Sequence, residues 1–146
     1  MTTKEYLGQI FRFEKMIKIK LTEIYQLKTM ATSVTISYEN DRVQTSNKKD
    51  GMANAVGKLV DLENETSEML NDCMETRKTI ISQIENIGDS RLYYILGAKY
   101  IEGKTLQEIG DEMTYTKRQT IRLHKKALSE FEKKYGETYL DSVLDK

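Results

Sequence analysis

The stretch "KTLQEIGDEMTYTKRQTIRLHKKAL", Lys104–Leu128, is acidic and apolar in its first half and basic in its second half. Thr105 with Glu108, and Thr116 with Gln119, have the spacing of a capping box. In that motif a Ser or Thr caps the start of a helix, and a Glu or Gln three residues later returns a hydrogen bond. The stretch therefore predicts two helices only a few residues apart, which is typical of a helix-turn-helix.

The second of these helices, predicted from Lys117 to about Lys134, is basic on one side. Residues 117–134 sum to +5, although the whole chain has a formal net charge of zero. At about 100° per residue, four cations share roughly a quarter-turn: Arg118, Arg122, Lys125 and Lys126. Residues that can pack lie on the opposite side: Thr120, Leu123, Ala127 and Phe131.

Such a helix can pack on its own domain while its cations meet the phosphates and base edges of double-stranded DNA. Basic faces on surface helices are common and are usually only solvated, so the charge pattern alone does not decide between these interpretations. The two capping boxes, and Gly110 where the first helix must approach the second closely, favour DNA binding.

Composition indicates an all-α protein. The 146 residues include no proline, and 32% of them are charged. No apolar run is long enough to span a membrane, and charged residues interrupt the N-terminal segment where a secretory signal would be apolar. We therefore expect a cytoplasmic protein without membrane contact.

Residues suited to catalysis or metal binding are few. Cys73 is the only cysteine and His124 the only histidine, so one chain cannot form a disulfide or a Cys/His zinc site. His124 lies toward the packed side of the basic helix, and no glycine loop of the phosphate-binding type is present. We expect no catalytic residues, no metal and no cofactor, and hence no enzyme.

The first 87 residues predict a long helical hairpin. Apolar residues recur in steps of four and three along its first helix, with Lys20 at the one missed position: Tyr6, Ile10, Phe13, Ile17, Ile24 and Leu27. Polar and β-branched residues then predict a mobile loop over 31–55. A second helix follows over 56–87. The hairpin can form within one chain or between two. It can serve dimerisation or contact with a partner such as RNA polymerase, and we expect a homodimer through these N-terminal helices.

A helix stop at Gly88 and an N-cap at Asp89 place a domain boundary before residue 88. Asp89 should open a first helix that Gly103 ends, followed by the helix-turn-helix. The predicted organisation is a hairpin over 1–87, a DNA-binding domain over 88–134 and a short acidic tail over 135–146.

The sequence "KTLQEIGDEMTYTKRQTIRLHKKALSEFEK" resembles region 4 of bacterial sigma factors and, more closely, phage late-transcription regulators of the RinA and ArpU type. The resemblance implies transcriptional control of phage late or packaging genes together with host RNA polymerase. It also implies that DNA is faced by Arg118, Gln119, Arg122 and Lys125, while Thr116 caps the helix and can bond a phosphate. With the neighbouring cations, the predicted DNA-binding set is Thr116, Lys117, Arg118, Gln119, Arg122, Lys125 and Lys126.

Two other functions stay open at this level. One is an oligomeric DNA-packaging component that resembles a small terminase subunit, in which long helices serve ring formation. The other is an interaction module that binds RNA polymerase and never DNA. Two features depart from the usual helix-turn-helix pattern: Thr114 stands where many such proteins have glycine, and Thr120 where an aliphatic residue usually packs.

Overall fold

The computed structural model of the protein describes residues 1–40 and 46–140. These residues form helices joined by short connections and contain no strand, which confirms the all-α prediction. In chain order the helices are α1 (Thr3–Leu7), α2 (Gln9–Asn40), α3 (Ser46–Glu85), α4 (Ser90–Tyr100), α5 (Leu106–Met113) and α6 (Lys117–Leu140).

The chain divides into two compact units. One consists of Met1–Arg12 together with the chain from Cys73 onward, and the other is Phe13–Asp72. We call them the core unit and the α2–α3 unit. The core unit begins earlier than the predicted boundary at residue 88, because Ile80 and Ile84 of α3 and Leu7 of α1 are fully buried in the same core as α4–α6.

Among the side chains of the α2–α3 unit that are described, two ion pairs join its helices. Lys20 Nζ lies 2.9 Å from Glu65 Oε2, and Lys28 Nζ lies 3.4 Å from Glu63 Oε1. Residue numbers rise along α2 as they fall along α3, so the two helices are antiparallel neighbours here.

The predicted loop over 31–55 is wrong for most of its length, because α2 continues to Asn40 and α3 begins at Ser46. Residues 41–45 lie outside the described part of the chain. The β-branched residues lower helix stability by well under 1 kcal/mol each. One of them, Thr32, also donates its hydroxyl to Lys28 O within the helix (2.8 Å).

The predicted tail over 135–146 is wrong for its first six residues, which belong to α6. Tyr139 is buried and its ring stacks on Tyr6 of α1 with centroids 4.3 Å apart. Phe131, Tyr135 and Tyr139 recur every four residues, so the packing side of α6 continues past the predicted end at Lys134. Residues 141–146 are outside the described residues.

The start of α4 is as predicted. The Asp89 side chain accepts a hydrogen bond from the backbone N–H of Arg91 (2.9 Å) and caps the helix. After α4, Gly103 adopts a positive φ of 78°, which lets the chain turn toward α5. Helix α6 packs against α1, α4 and α5, with Phe131 fully buried at the centre of its packed side.

Candidate nucleic-acid interface

Helix α5 begins at the first predicted capping box. Thr105 Oγ1 accepts from the backbone N–H of Glu108 (3.2 Å), and Thr105 N–H donates to Glu108 Oε2 (3.4 Å). Ile109 is fully buried beneath this helix. The Glu108 carboxylate therefore caps α5, and its negative charge also interacts favourably with the positive end of the helix dipole.

The turn between α5 and α6 passes through Thr114, which has left-handed backbone angles (φ 60°, ψ 37°). Its neighbour Tyr115 donates its N–H to the carbonyl oxygen of Gly110 (2.8 Å) and closes the end of α5. A threonine in this conformation costs about 1–2 kcal/mol more than a glycine would, because its Cβ crowds the backbone. The turn therefore keeps the geometry of a glycine turn at an energetic cost.

The N-terminus of α6 has the second predicted capping box. Gln119 N–H donates to Thr116 Oγ1 (3.2 Å), and Thr116 N–H donates to Gln119 Oε1 (2.9 Å). Two of the seven predicted DNA-binding residues thus fix the first turn of the basic helix. The Gln119 amide oxygen holds the cap, so its NH₂ group is the part left to meet a ligand.

Helices α5 and α6 touch closely at Gly110 and Thr120. A Cβ added to Gly110 would lie 2.6 Å from Thr120 Oγ1 and 3.3 Å from Tyr115 O, so the space requires glycine. Thr120 is buried and its Oγ1 donates to Thr116 O (2.9 Å). A threonine therefore occupies the usual aliphatic position because its hydroxyl is satisfied within α6.

The outer side of α6 carries the predicted DNA-binding residues. Each of them is exposed: Thr116, Lys117, Arg118, Gln119, Arg122, Lys125 and Lys126. The other side packs into the core and is buried: Thr120, Leu123, His124, Ala127 and Phe131. One face of the helix is thus fixed by packing, and the cationic face is left accessible.

Among the side chains that the structure describes, no carboxylate lies within 4 Å of the five cations in this set. Nearby acids have other partners: Glu112 accepts from Lys104 (2.8 Å), and Glu130 pairs with Lys133 (3.2 Å). The Lys104 ammonium, followed by the Tyr94 hydroxyl, lowers the pKa of Glu112 and keeps it ionised. The positive charge on the outer face of α6 is therefore not neutralised by contact.

Arg91, at the start of α4, is a further exposed cation that is absent from the predicted set, and its Nε lies 3.8 Å from Asp89 Oδ1. The pKa of Asp89 is lowered mainly by the backbone N–H of Arg91, and the charges of Arg91 and Lys126 contribute. Both cations therefore lie near Asp89, although Arg91 precedes Lys126 by 35 positions. No local sequence pattern predicts that two residues so far apart in the chain lie close together.

His124 has a structural role on the buried side of α6. Its Nε2 is 2.9 Å from the Tyr100 hydroxyl, in a buried hydrogen bond between α6 and α4. Burial lowers the pKa of His124 to about 4, and the nearby charges of Lys99 and Lys4 contribute. The imidazole is therefore neutral at physiological pH, in line with the prediction that this side of the helix is packed.

The described residues contain no group of three or more His, Cys, Asp or Glu side chains placed to hold a metal ion. No helix among them is both long and apolar enough to cross a membrane. The strongest candidate site is thus the cationic face of α6.

Comparison with known proteins finds no matching family, no matching curated protein and no matching solved structure.

Proposed function

We propose that the protein binds double-stranded DNA sequence-specifically and regulates transcription, with α6 as its recognition helix. The observation that carries this proposal is the outer face of α6. It presents five exposed cations that form no ion pair with any side chain the structure describes, on a helix whose opposite face is buried. A rigid helix with one such face fits the major groove, which is wide enough to admit it.

The cations divide naturally between two roles. Arg118 and Arg122 lie one turn apart, and arginine pairs with guanine through two parallel hydrogen bonds. Lys117, Lys125 and Lys126 are point charges suited to phosphates. If each of these three lysines met one phosphate, log affinity would fall with log salt with a slope of about −3.

The resemblance to sigma region 4 and to phage late-transcription regulators supports a narrower proposal. In it, the protein activates phage late or packaging genes through contact with host RNA polymerase. Transcription from the bound segment by purified host polymerase, with and without the protein, tests this part separately. Unchanged transcript levels would contradict the activator role and leave DNA binding standing.

The first experiment is to sequence the genomic fragments that the purified protein retains at near-physiological salt, using DNA from its own replicon. We expect enrichment of one intergenic segment, which is lost in Arg122→Glu and Lys125→Glu. The matched control is Lys15→Glu, the same charge change at an exposed lysine of α2. Each lost phosphate contact should also flatten the salt slope by about one unit.

Two results would count against the proposal. Unchanged affinity in both α6 variants would mean that this face does not bind DNA. Uniform retention of all fragments that disappears with modest added salt would mean that α6 supplies only nonspecific electrostatic attraction.

A further inference from the structure

The α2–α3 unit buries few of its side chains. Among those that the structure describes there, only Ile24 and Thr66 are buried. Eight large apolar side chains are exposed instead: Met16, Ile19, Leu21, Tyr25, Met30, Val56, Val60 and Leu70. Two packed helices bury side chains only along the line where they meet, whereas a bundle of more helices encloses a core.

Five of these side chains lie on one side of the unit. On α2, Leu21, Tyr25 and Lys28 follow in steps of four and three and form one stripe. On α3, the corresponding stripe follows the same periodicity: Val56, Val60, Glu63 and Leu70. The ion pair between Lys28 and Glu63 joins one member of each stripe, so the two stripes share a side.

We call this side the apolar face and define it by five residues: Leu21, Tyr25, Val56, Val60 and Leu70. Their exposed fractions lie between 47% and 72%. The second ion pair, Lys20 with Glu65, joins the helices along their other side, where Ile19 and Met30 are exposed. The apolar face is therefore distinct from that flank.

We propose that the apolar face binds the same face of a second copy of this chain, so that two α2–α3 units form a four-helix bundle. Over residues 13–32, α2 has four lysines against two glutamates. Over residues 53–72, α3 has one lysine against five acidic residues. A two-fold axis along the bundle places the basic α2 of one copy against the acidic α3 of the other, so the face is complementary to itself.

The available area suits a dimer. Twenty residues of helix span about 30 Å, and two neighbouring helices are about 20 Å wide. Each copy therefore offers roughly 600 Å², or about 1,200 Å² for the pair, which is at the lower end of stable interfaces. Acidic residues on α3 and lysines on α2 then border an apolar centre, as expected of an interface core and its polar rim.

This inference goes beyond the proposed function and does not depend on DNA binding. The relevant measurement is the mass of the full chain in solution, by sedimentation equilibrium at several concentrations. We expect twice the chain mass of 17.0 kDa at micromolar concentration. The variant Tyr25→Lys/Val60→Lys should weaken association by more than about 100-fold, since each copy loses two buried apolar contacts.

The matched control is Ile19→Lys/Met30→Lys, which introduces the same two charges at equally exposed positions of the other flank. This control should remain dimeric. A wild-type chain that stays monomeric, a ring of many copies, or equal loss of association in both variants would overturn the proposal. Retention of helical circular dichroism in each variant separates loss of association from loss of folding.

A second experiment tests the pairing of helices. Tyr25→Cys and Val60→Cys chains are prepared separately, mixed and oxidised. If α2 of one copy faces α3 of the other, disulfides should form between a Tyr25→Cys chain and a Val60→Cys chain in preference to two chains with the same substitution. The wild-type chain, which retains Cys73, controls for crosslinking at that site. Preferential crosslinking of like copies would overturn the proposed arrangement, whatever the outcome of the DNA experiment.

Discussion

Replacing Gly110 with alanine tests the close contact between α5 and α6. Alanine in place of glycine inside a helix normally stabilises by up to about 1 kcal/mol. At this position, however, the new Cβ would lie 2.6 Å from Thr120 Oγ1. Overpacking of this kind costs about 1–3 kcal/mol, so we expect Gly110→Ala to destabilise the core unit by a net value of about 1–2 kcal/mol.

Thr120 is the main obstacle, so removing its hydroxyl should change the sign of the effect. In a Thr120→Ala background the nearest of the remaining atoms is Tyr115 O at 3.3 Å. Gly110→Ala should then be neutral or slightly stabilising. Thr120→Ala alone should cost about 1 kcal/mol, because it removes the partly buried hydrogen bond to Thr116 O and a methyl group.

Urea unfolding of the wild type, both single variants and the double variant gives the coupling free energy, which we expect to be at least about 1 kcal/mol. Amide hydrogen exchange of α5 and α6 assigns the transition to the core unit. Gly97→Ala is the matched control, since nothing lies within 4 Å of a Cβ there, and it should stabilise. An equal penalty for Gly110→Ala in both backgrounds would refute the steric argument.

Two further predictions concern the same unit. Thr114→Gly should raise the free energy of unfolding by about 1 kcal/mol, because glycine adopts the left-handed conformation without strain; an unchanged urea midpoint would contradict this. His124 has a pKa of about 4 when folded and an ordinary value of 6.5, so the unfolded chain binds the proton more readily. Stability should therefore fall as the pH drops from about 6.5 toward 4, and His124→Gln should reduce that slope in acid titrations followed by circular dichroism.

The sequence predicts local features of this fold well. Asp89, Thr105 and Thr116 cap helices where expected, because capping depends on residues only two or three positions apart. Whether the exposed side of α6 contacts DNA stays a prediction. The prediction of a loop over 31–55 was wrong because it depended on helix propensities. These differ little between residues, and here they are outweighed by continuation of α2 and α3.

Long-range packing could not be predicted in the same way. Thr3 Oγ1 lies 2.8 Å from Tyr139 Oη, and it also donates to Glu132 Oε2 at 2.8 Å. Tyr6 Oη donates to Gln83 Oε1, also at 2.8 Å. These contacts join α1 to α6 and to the end of α3 across 77–136 positions of sequence. Neither periodicity nor capping carries information over such distances.

A net charge of zero is compatible with the proposed DNA binding, because positive charge is concentrated on α6, where residues 117–134 sum to +5. Of the carboxylates on α5 and α6, that of Glu112 pairs with Lys104, while those of Glu108 and Glu132 accept hydrogen bonds from the Thr105 N–H and the Thr3 hydroxyl. At physiological ionic strength charges are screened over about 8 Å. A phosphate at Arg122 or Lys125 would therefore interact mainly with the cations of α6. The local field, rather than the total charge, should determine the salt dependence of binding.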